Sequence, residues 1–365
     1  MLITGILIIT TRYGKIDMAD LIRDVESNEK LYSNLDAKVH SEYGPGEVPI
    51  PSPMLLETSI SDSQTVYQNG MLYYQCKNPM VRADKEKYTL ETHLGFDGKI
   101  TRINDQNVRA NIHIGYFEDP LIFRPHTVLL SNAMVSFPLS DYLRGDDYLL
   151  HYHKDTPYRN EWILNCTVNG EENVDGLRCV KIRCDTSRIK DGKLLNRRYL
   201  WLAEDRNLLP CKSIVFFPAF SNDVPLEECY VSRFMEVDQG IWAPVESFIS
   251  SFDVNSFIKS KKKILANQEH ITITSISCYP NYPKSFFQNI AFPNGIVVYV
   301  AKDGKIVESY VHGLAKTKPI ARRTHWVTYL VYATTALSVL SIIILIYRYI
   351  RFRLIDEKRV ESRPS

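Results

Sequence analysis

The sequence predicts a mainly β protein: a curled antiparallel sheet with a few covering helices, followed by one C-terminal transmembrane helix. Three observations predict it. Short runs rich in Val, Ile, Thr and Tyr recur, with 22 tyrosines in 365 residues, a composition that favours strands. Within those runs apolar and polar residues alternate with period two, so each strand has one buried face. Residues 326–347 carry no charged side chain. As a helix that stretch would be about 33 Å long at roughly 1.5 Å per residue, against a bilayer core of about 30 Å.

The elements follow in order. Residues 1–16 form a short apolar N-terminus. They lack the basic start and small-residue cleavage site of a signal peptide, so they read as a signal remnant or as sequence upstream of a start at Met18. Residues 17–30 predict a helix, because Met18, Leu21, Ile22 and Val25 share one face and Asp17 suits the N-cap. The period then changes. Leu35, Ala37, Val39 and Tyr43 alternate with Asp36, Lys38, His40 and Glu42, which is a strand. The proline-rich residues 44–53 read as a loop.

Asn69-Gly70 between apolar runs is a hairpin signal, and Asp97-Gly98 is another. Tyr88, Leu90, Leu94 and Phe96 lead into the second turn. A short strand is expected at 112–116, helix and loop at 121–143, and a charged turn at 144–147. From 148 onward the pattern is antiparallel strand, at 148–153, 162–168, 177–184, 197–203, 209–217, 228–237 and 243–252. Residues 218–225 and 255–263 read as loops, the second carrying Lys259, Lys261, Lys262 and Lys263. The total comes to about ten strands with few helices, and a large sheet with one face to cover and few helices must curl around them.

The membrane span is framed by anchors. Trp326, Leu330, Leu337, Leu340, Ile344 and Tyr347 mark its length, with aromatic residues at both ends. Residues 314–325 form a basic linker and 348–365 a basic tail. Six Lys or Arg lie on the tail side (Arg348, Arg351, Arg353, Lys358, Arg359, Arg363) and four on the other (Lys316, Lys318, Arg322, Arg323). Lys and Arg near a span are retained in the cytoplasm, so the expected arrangement is a cytoplasmic tail and a sheet domain outside.

Net charge is +2, without the electrostatic footprint of a nucleic-acid binder. The seven cysteines include no C-x-x-C pair, which argues against a zinc ribbon or a thioredoxin-type site. Cys211 and Cys229 flank the 218–225 loop at similar distances and are a candidate disulfide. His151 and His153 point to one face of an extended segment and form a weak metal candidate, with a solvated polar edge as the bland alternative. The hydrolase elbow and the phosphate loop are absent. Glu227 and Glu228 are neighbours on extended backbone and point apart. An enzyme is not expected, nor is a cofactor.

Several stretches carry a family resemblance. Residues 198–210 (RYLWLAEDRNLLP), 240–245 (GIWAPV), 292–295 (FPNG) with 303–305 (DGK), 123–130 (FRPHTVLL) and 174–180 (VDGLRCV) resemble the LolA-like family, of the lipoprotein-sorting and RseB type, in a larger membrane-anchored bacterial version. The resemblance covers roughly residues 17–313. It implies a half-barrel whose concave face holds acyl chains, and periplasmic carriers or envelope sensors as relatives in function. Its motifs are turn and strand signals and carry no catalytic information. A tethered chain cannot shuttle between membranes, so local capture of a lipid or lipoprotein is expected. The alternative is an envelope sensor or protein-interaction module without a lipid ligand. Residues expected on the concave face are Leu35, Ala37, Val39, Leu90, Leu94, Val180 and Ile182.

Overall fold

The computed structural model describes residues 16–47, 59–81, 87–105, 109–115, 124–128, 138–145, 161–303 and 305–314. The span at 326–347, its tail, the strand expected at 148–153, and His151 and His153 lie outside them. No helix among the described residues is long and apolar enough to cross a membrane.

Fifteen strands form one sheet, in the order β15-β14-β6-β5-β4-β3-β2-β1-β13-β12-β11-β10-β9-β8-β7. Every pairing is antiparallel except β14 with β6. The first half holds β1 (Leu35–Pro45), β2 (Ser59–Gln68), β3 (Met71–Val81), β4 (Lys87–Phe96), β5 (Ile100–Asp105) and β6 (Arg109–Ile114). The second half holds β7 (Trp162–Val174), β8 (Leu177–Arg188), β9 (Leu194–Ala203), β10 (Leu209–Phe216), β11 (Glu227–Asp238), β12 (Ile241–Phe252) and β13 (Leu265–Ser277). A hairpin of β14 (Val297–Lys302) and β15 (Lys305–Val311) closes the order. The count exceeds the expected ten, and three of the strands, β5, β6 and β14, have six residues each.

The helices are α1 (Met18–Glu29), α2 (Leu139–Leu143), α3 (Val254–Ser260) and α4 (Lys284–Gln288). Helix α1 forms where the apolar spacing placed it. Asp17 is its N-cap residue, but the side chain makes no capping bond. Helix α3 corrects the loop expected at 255–263: the Asp253 carboxylate accepts from the Ser256 amide at 2.5 Å and caps a short helix. Strand β1 also continues to Pro45, into the proline-rich stretch expected as loop. At the Asn69-Gly70 turn both residues have positive φ, as a two-residue hairpin turn requires.

The register aligns the apolar positions. Val180 faces Leu202 and Ile182 faces Leu200 across β8 and β9. These four join Leu35 and Ala37 of β1, Val245 and Ile249 of β12, and Ile271 and Ile273 of β13 in one buried cluster. Leu21 and Val25 of α1 and Leu139, Tyr142 and Leu143 of α2 fill the same cluster, which defines the inner face. Toward the other end, Leu72, Tyr74, Leu94, Phe96 and Ile103 continue it over β3–β5.

The sheet is curled. Tyr67 of β2 and Leu209 of β10 line one cavity, yet they stand five strand steps apart in the sheet order. In a flat sheet five steps would span about 24 Å.

The outer face of β2–β5 has its own cover. The Phe287 side chain of α4 is fully buried there, and the Phe286 ring lies 4.4 Å from the Tyr73 ring. Gly95 permits this approach, since a Cβ there would meet the Phe287 carbonyl oxygen at 2.4 Å.

Candidate functional site

A cavity of about 390 Å³ lies on the inner face, between α1, the segment 124–128, the start of α2 and the turn joining β9 to β10. Its walls are apolar: Val25, Leu35, Tyr67, Leu139, Leu208 and Leu209. Charged groups ring it. Arg144 pairs with Glu26 and, at 3.0 Å, with Asp141, and the Arg124 guanidinium carbon sits 5.5 Å from the Tyr67 ring centre. Binding pockets for small ligands commonly measure about 300–1,000 Å³ and combine apolar walls with a few placed polar groups.

One acid sits inside. Glu29 accepts hydrogen bonds from the Ser140 hydroxyl at 2.6 Å and the Ser140 amide at 3.3 Å, joining the end of α1 to the start of α2. Burial pushes its carboxyl above the usual carboxylate range, and the Ser140 bonds and the Arg124 charge only partly oppose this. A carboxyl raised in the folded state adds stability below its unfolded pKa and loses that contribution as pH rises through the folded value. We expect Glu29→Gln, which stays neutral and keeps an acceptor for Ser140, to melt above the parent at pH 7. The gap should close as the pH approaches 4 in a pH-resolved melting series. A signal for Glu29 exists in the sequence: it continues the Leu21–Val25 stripe at i+4, a charged residue at a core position.

The turn at the cavity floor is held in an unusual conformation. Asn207 and Leu208 both have φ of +54°, a region that leucine seldom visits. Asn207 holds it there. Its carboxamide oxygen accepts from the Trp242 amide at 2.7 Å, and its nitrogen donates to the Gly240 carbonyl at 3.0 Å. Tyr32 hydroxyl contacts the Asn207 oxygen at 3.1 Å and also the Trp242 carbonyl, tying the end of α1 to both turns. The two Tyr32 contacts span 175 and 210 residues of sequence, and no local pattern announces them.

The concave-face candidates mostly serve as core. Leu35 alone of the seven lines the cavity. Ala37, Leu94 and Ile182 are fully buried and Val180 nearly so, because helices or neighbouring strands cover the face that the alternation identified. Val39 and Leu90 are half-buried on that face.

Cys211 and Cys229 also part company. β10 and β11 do pair antiparallel, with Cys229 opposite Ser213. But a bulge between Pro210 and Lys212 shifts the register against β9, and Cys211 packs on the outer face with Cys179, Trp201 and Ala203. Its sulfur lies 3.4 Å from that of Cys179, while Cys229 belongs to the inner cluster. None of the seven cysteines is in a disulfide. Among the described residues no group of three or more His, Cys, Asp or Glu is arranged to hold a metal.

Sequence reasoning missed an ion pair between a buried Arg198 and a half-buried Glu227. Arg198 Nη2 lies 3.6 Å from Glu227 Oε1, and its Nη1 donates to the fully buried Ser213 hydroxyl at 2.9 Å. Glu228 points the other way and pairs with Lys263 at 2.6 Å, so the two neighbouring acids do diverge.

No protein-family model matches the chain, and no curated protein matches it. Solved structures do. A DUF1329 family protein from Desulfovibrio piger is 12% identical, with a TM-score of 0.39 over 75% of this chain and 98% of its own. A domain named for outer membrane lipoprotein sorting, from Vibrio parahaemolyticus, is 6% identical, with a TM-score of 0.37 over 74% and 97%. A LolA superfamily protein from Nitrosomonas europaea is 9% identical, with a TM-score of 0.35 over 75% and 98%. The LolA-like resemblance seen in the sequence therefore recurs among the matched structures, at a level that carries no function.

Proposed function

We propose that this chain is a membrane-anchored binding domain that holds a lipid, or one acyl chain, in the inner-face cavity. The observation that carries the reading is the cavity itself: apolar walls, a charged rim and a volume near 390 Å³, at the lower end of the range for small-ligand sites, about 300–1,000 Å³. That volume suits a single chain better than a multiply acylated anchor. The curled sheet is then a half-barrel, with α1 and α2 as the plug between ligand and core. The uncharged stretch 326–347 supplies the anchor, and the excess of Lys and Arg after it supports a cytoplasmic tail and an external sheet domain. Catalysis forms no part of this function.

The test is native mass spectrometry of the full chain released from its membrane in mild detergent. A co-purifying lipid is expected. Asn28 lines the cavity and is half-buried, so Asn28→Trp should fill the space and lower occupancy about tenfold or more, a loss of roughly 1.4 kcal/mol or more. Equal lipid occupancy in both proteins, or none in the parent, sinks the proposal. Topology is checked separately by protease added to intact spheroplasts. Survival of the sheet domain until the membrane is opened would place it inside.

A further inference from the structure

We propose that the β14–β15 hairpin is a membrane-contact surface, lying against the bilayer that holds the 326–347 span. The proposal rests on the anchorage argued above and is independent of the cavity. The hairpin forms one end of the sheet order. Ile306 is 58% exposed, Val307 59% and Leu314 65%, and Val297 and Tyr299 on the neighbouring strand are also exposed. The register gathers most of them on one side. Val297, Tyr299 and Ala301 alternate along β14, and Ile306 stands opposite Ala301. A bulge between Val300 and Ala301 leaves Val307 as the extra residue beside Ile306.

The edge strand at the far end of the sheet is β7. There β7 is broken by a bulge between Val168 and Gly170, and it carries Glu171 and Glu172. Bulges and charges are how edge strands are kept from sticking to other surfaces. β15 also has a bulge and carries Lys305 and Glu308, but next to its turn Ile306 and Val307 set two adjacent branched aliphatic side chains toward solvent, the kind of patch that marks a contact.

Chain length and charge identify the contact as the bilayer. Eleven residues, 315–325, separate Leu314 from Trp326. A linker of that length reaches at most about 40 Å fully extended, and roughly 18 Å as a flexible coil. The end of β15 is therefore held close to the membrane surface. Residues 302–325 contain six Lys or Arg against two acids, Asp303 and Glu308. Basic groups that lie in sequence between an apolar strip and a membrane span suit anionic headgroups above acyl chains.

The test uses the full chain reconstituted into vesicles of phosphatidylethanolamine and phosphatidylglycerol, with the photoreactive residue benzoylphenylalanine placed at position 306. A control places it at Ile189, which is 54% exposed in the turn joining β8 to β9. After illumination, position 306 should yield several-fold more lipid adduct than position 189. Equal yields in chains that float with the vesicles overturn the proposal. So does an adduct at position 306 to a second copy of the chain, which would make the hairpin an interface between copies. A chain that fails to float removes the anchorage and this surface together. A chain that floats and cross-links but carries no lipid in native mass spectrometry loses the cavity reading only.

Discussion

Glu227→Ala is expected to cost about 3–5 kcal/mol, the usual consequence of leaving a buried charge without its partner. Arg198 carries a permanent charge, and its side chain is only 9% exposed. Glu227 neutralises it from 3.6 Å, and Ser213 satisfies one of its N–H groups. With Glu227 gone, the guanidinium keeps its charge inside the inner-face core with one neutral hydroxyl beside it. The cost comes from that uncompensated charge, so it should disappear when the charge is removed too. The double variant Arg198→Met, Glu227→Leu replaces the pair with apolar groups of similar length and should recover most of the loss. Urea unfolding of the detergent-solubilised full chain, comparing midpoints at unchanged slope, reads both. Equal destabilisation by the single and double variants would show that the pair acts through shape and not through charge.

That pair also marks where sequence reasoning stops. Leu35, Ala37, Val180 and Ile182 were legible as one-face positions because alternation is a property of the strand alone. Helix α1 was legible for the same reason, through its 3.6-residue spacing, and the Asn69-Gly70 hairpin through the backbone freedom its turn needs. The Arg198–Glu227 contact depends on how β9, β10 and β11 stack in register, and the bulge at Cys211 sets that register. The same bulge sends Cys211 to the outer face, which equal spacing from a loop could not anticipate. The cavity is less legible still. Glu29, Arg124, Ser140 and Asn207 come from four separate segments. Alternation says which face is inside but not which element covers it, so residues expected to line a trough are instead packed beneath helices and strands.

Asp97→Ala should be comparably damaging, at about 3 kcal/mol near neutral pH, because one buried carboxylate serves four donors. Its Oδ1 accepts from the amides of Lys99 at 3.0 Å and Ile100 at 2.9 Å, which shapes the turn between β4 and β5. Its Oδ2 accepts from Arg102 at 3.1 Å and from Gln288 of α4 at 3.2 Å. The second bond joins that turn to the segment covering the outer face, where Asn104 also donates to the Ala291 carbonyl at 2.7 Å. Alanine removes the acceptor and loosens turn and cover together. The pH dependence separates charge from geometry. Burial alone would raise the Asp97 pKa, but the bonds from Ile100, Gln288, Lys99 and Arg102 outweigh it and bring it down to about 2. A carboxyl lowered in the folded state contributes stability above its unfolded value near 3.8 and loses it as pH falls through the folded value. The drop corresponds to about 2 kcal/mol. The stability gap between the parent and Asp97→Asn should therefore be widest above pH 4 and narrow steadily toward pH 2. A gap that stays constant over that range would assign the role of Asp97 to its shape, with no part for its charge.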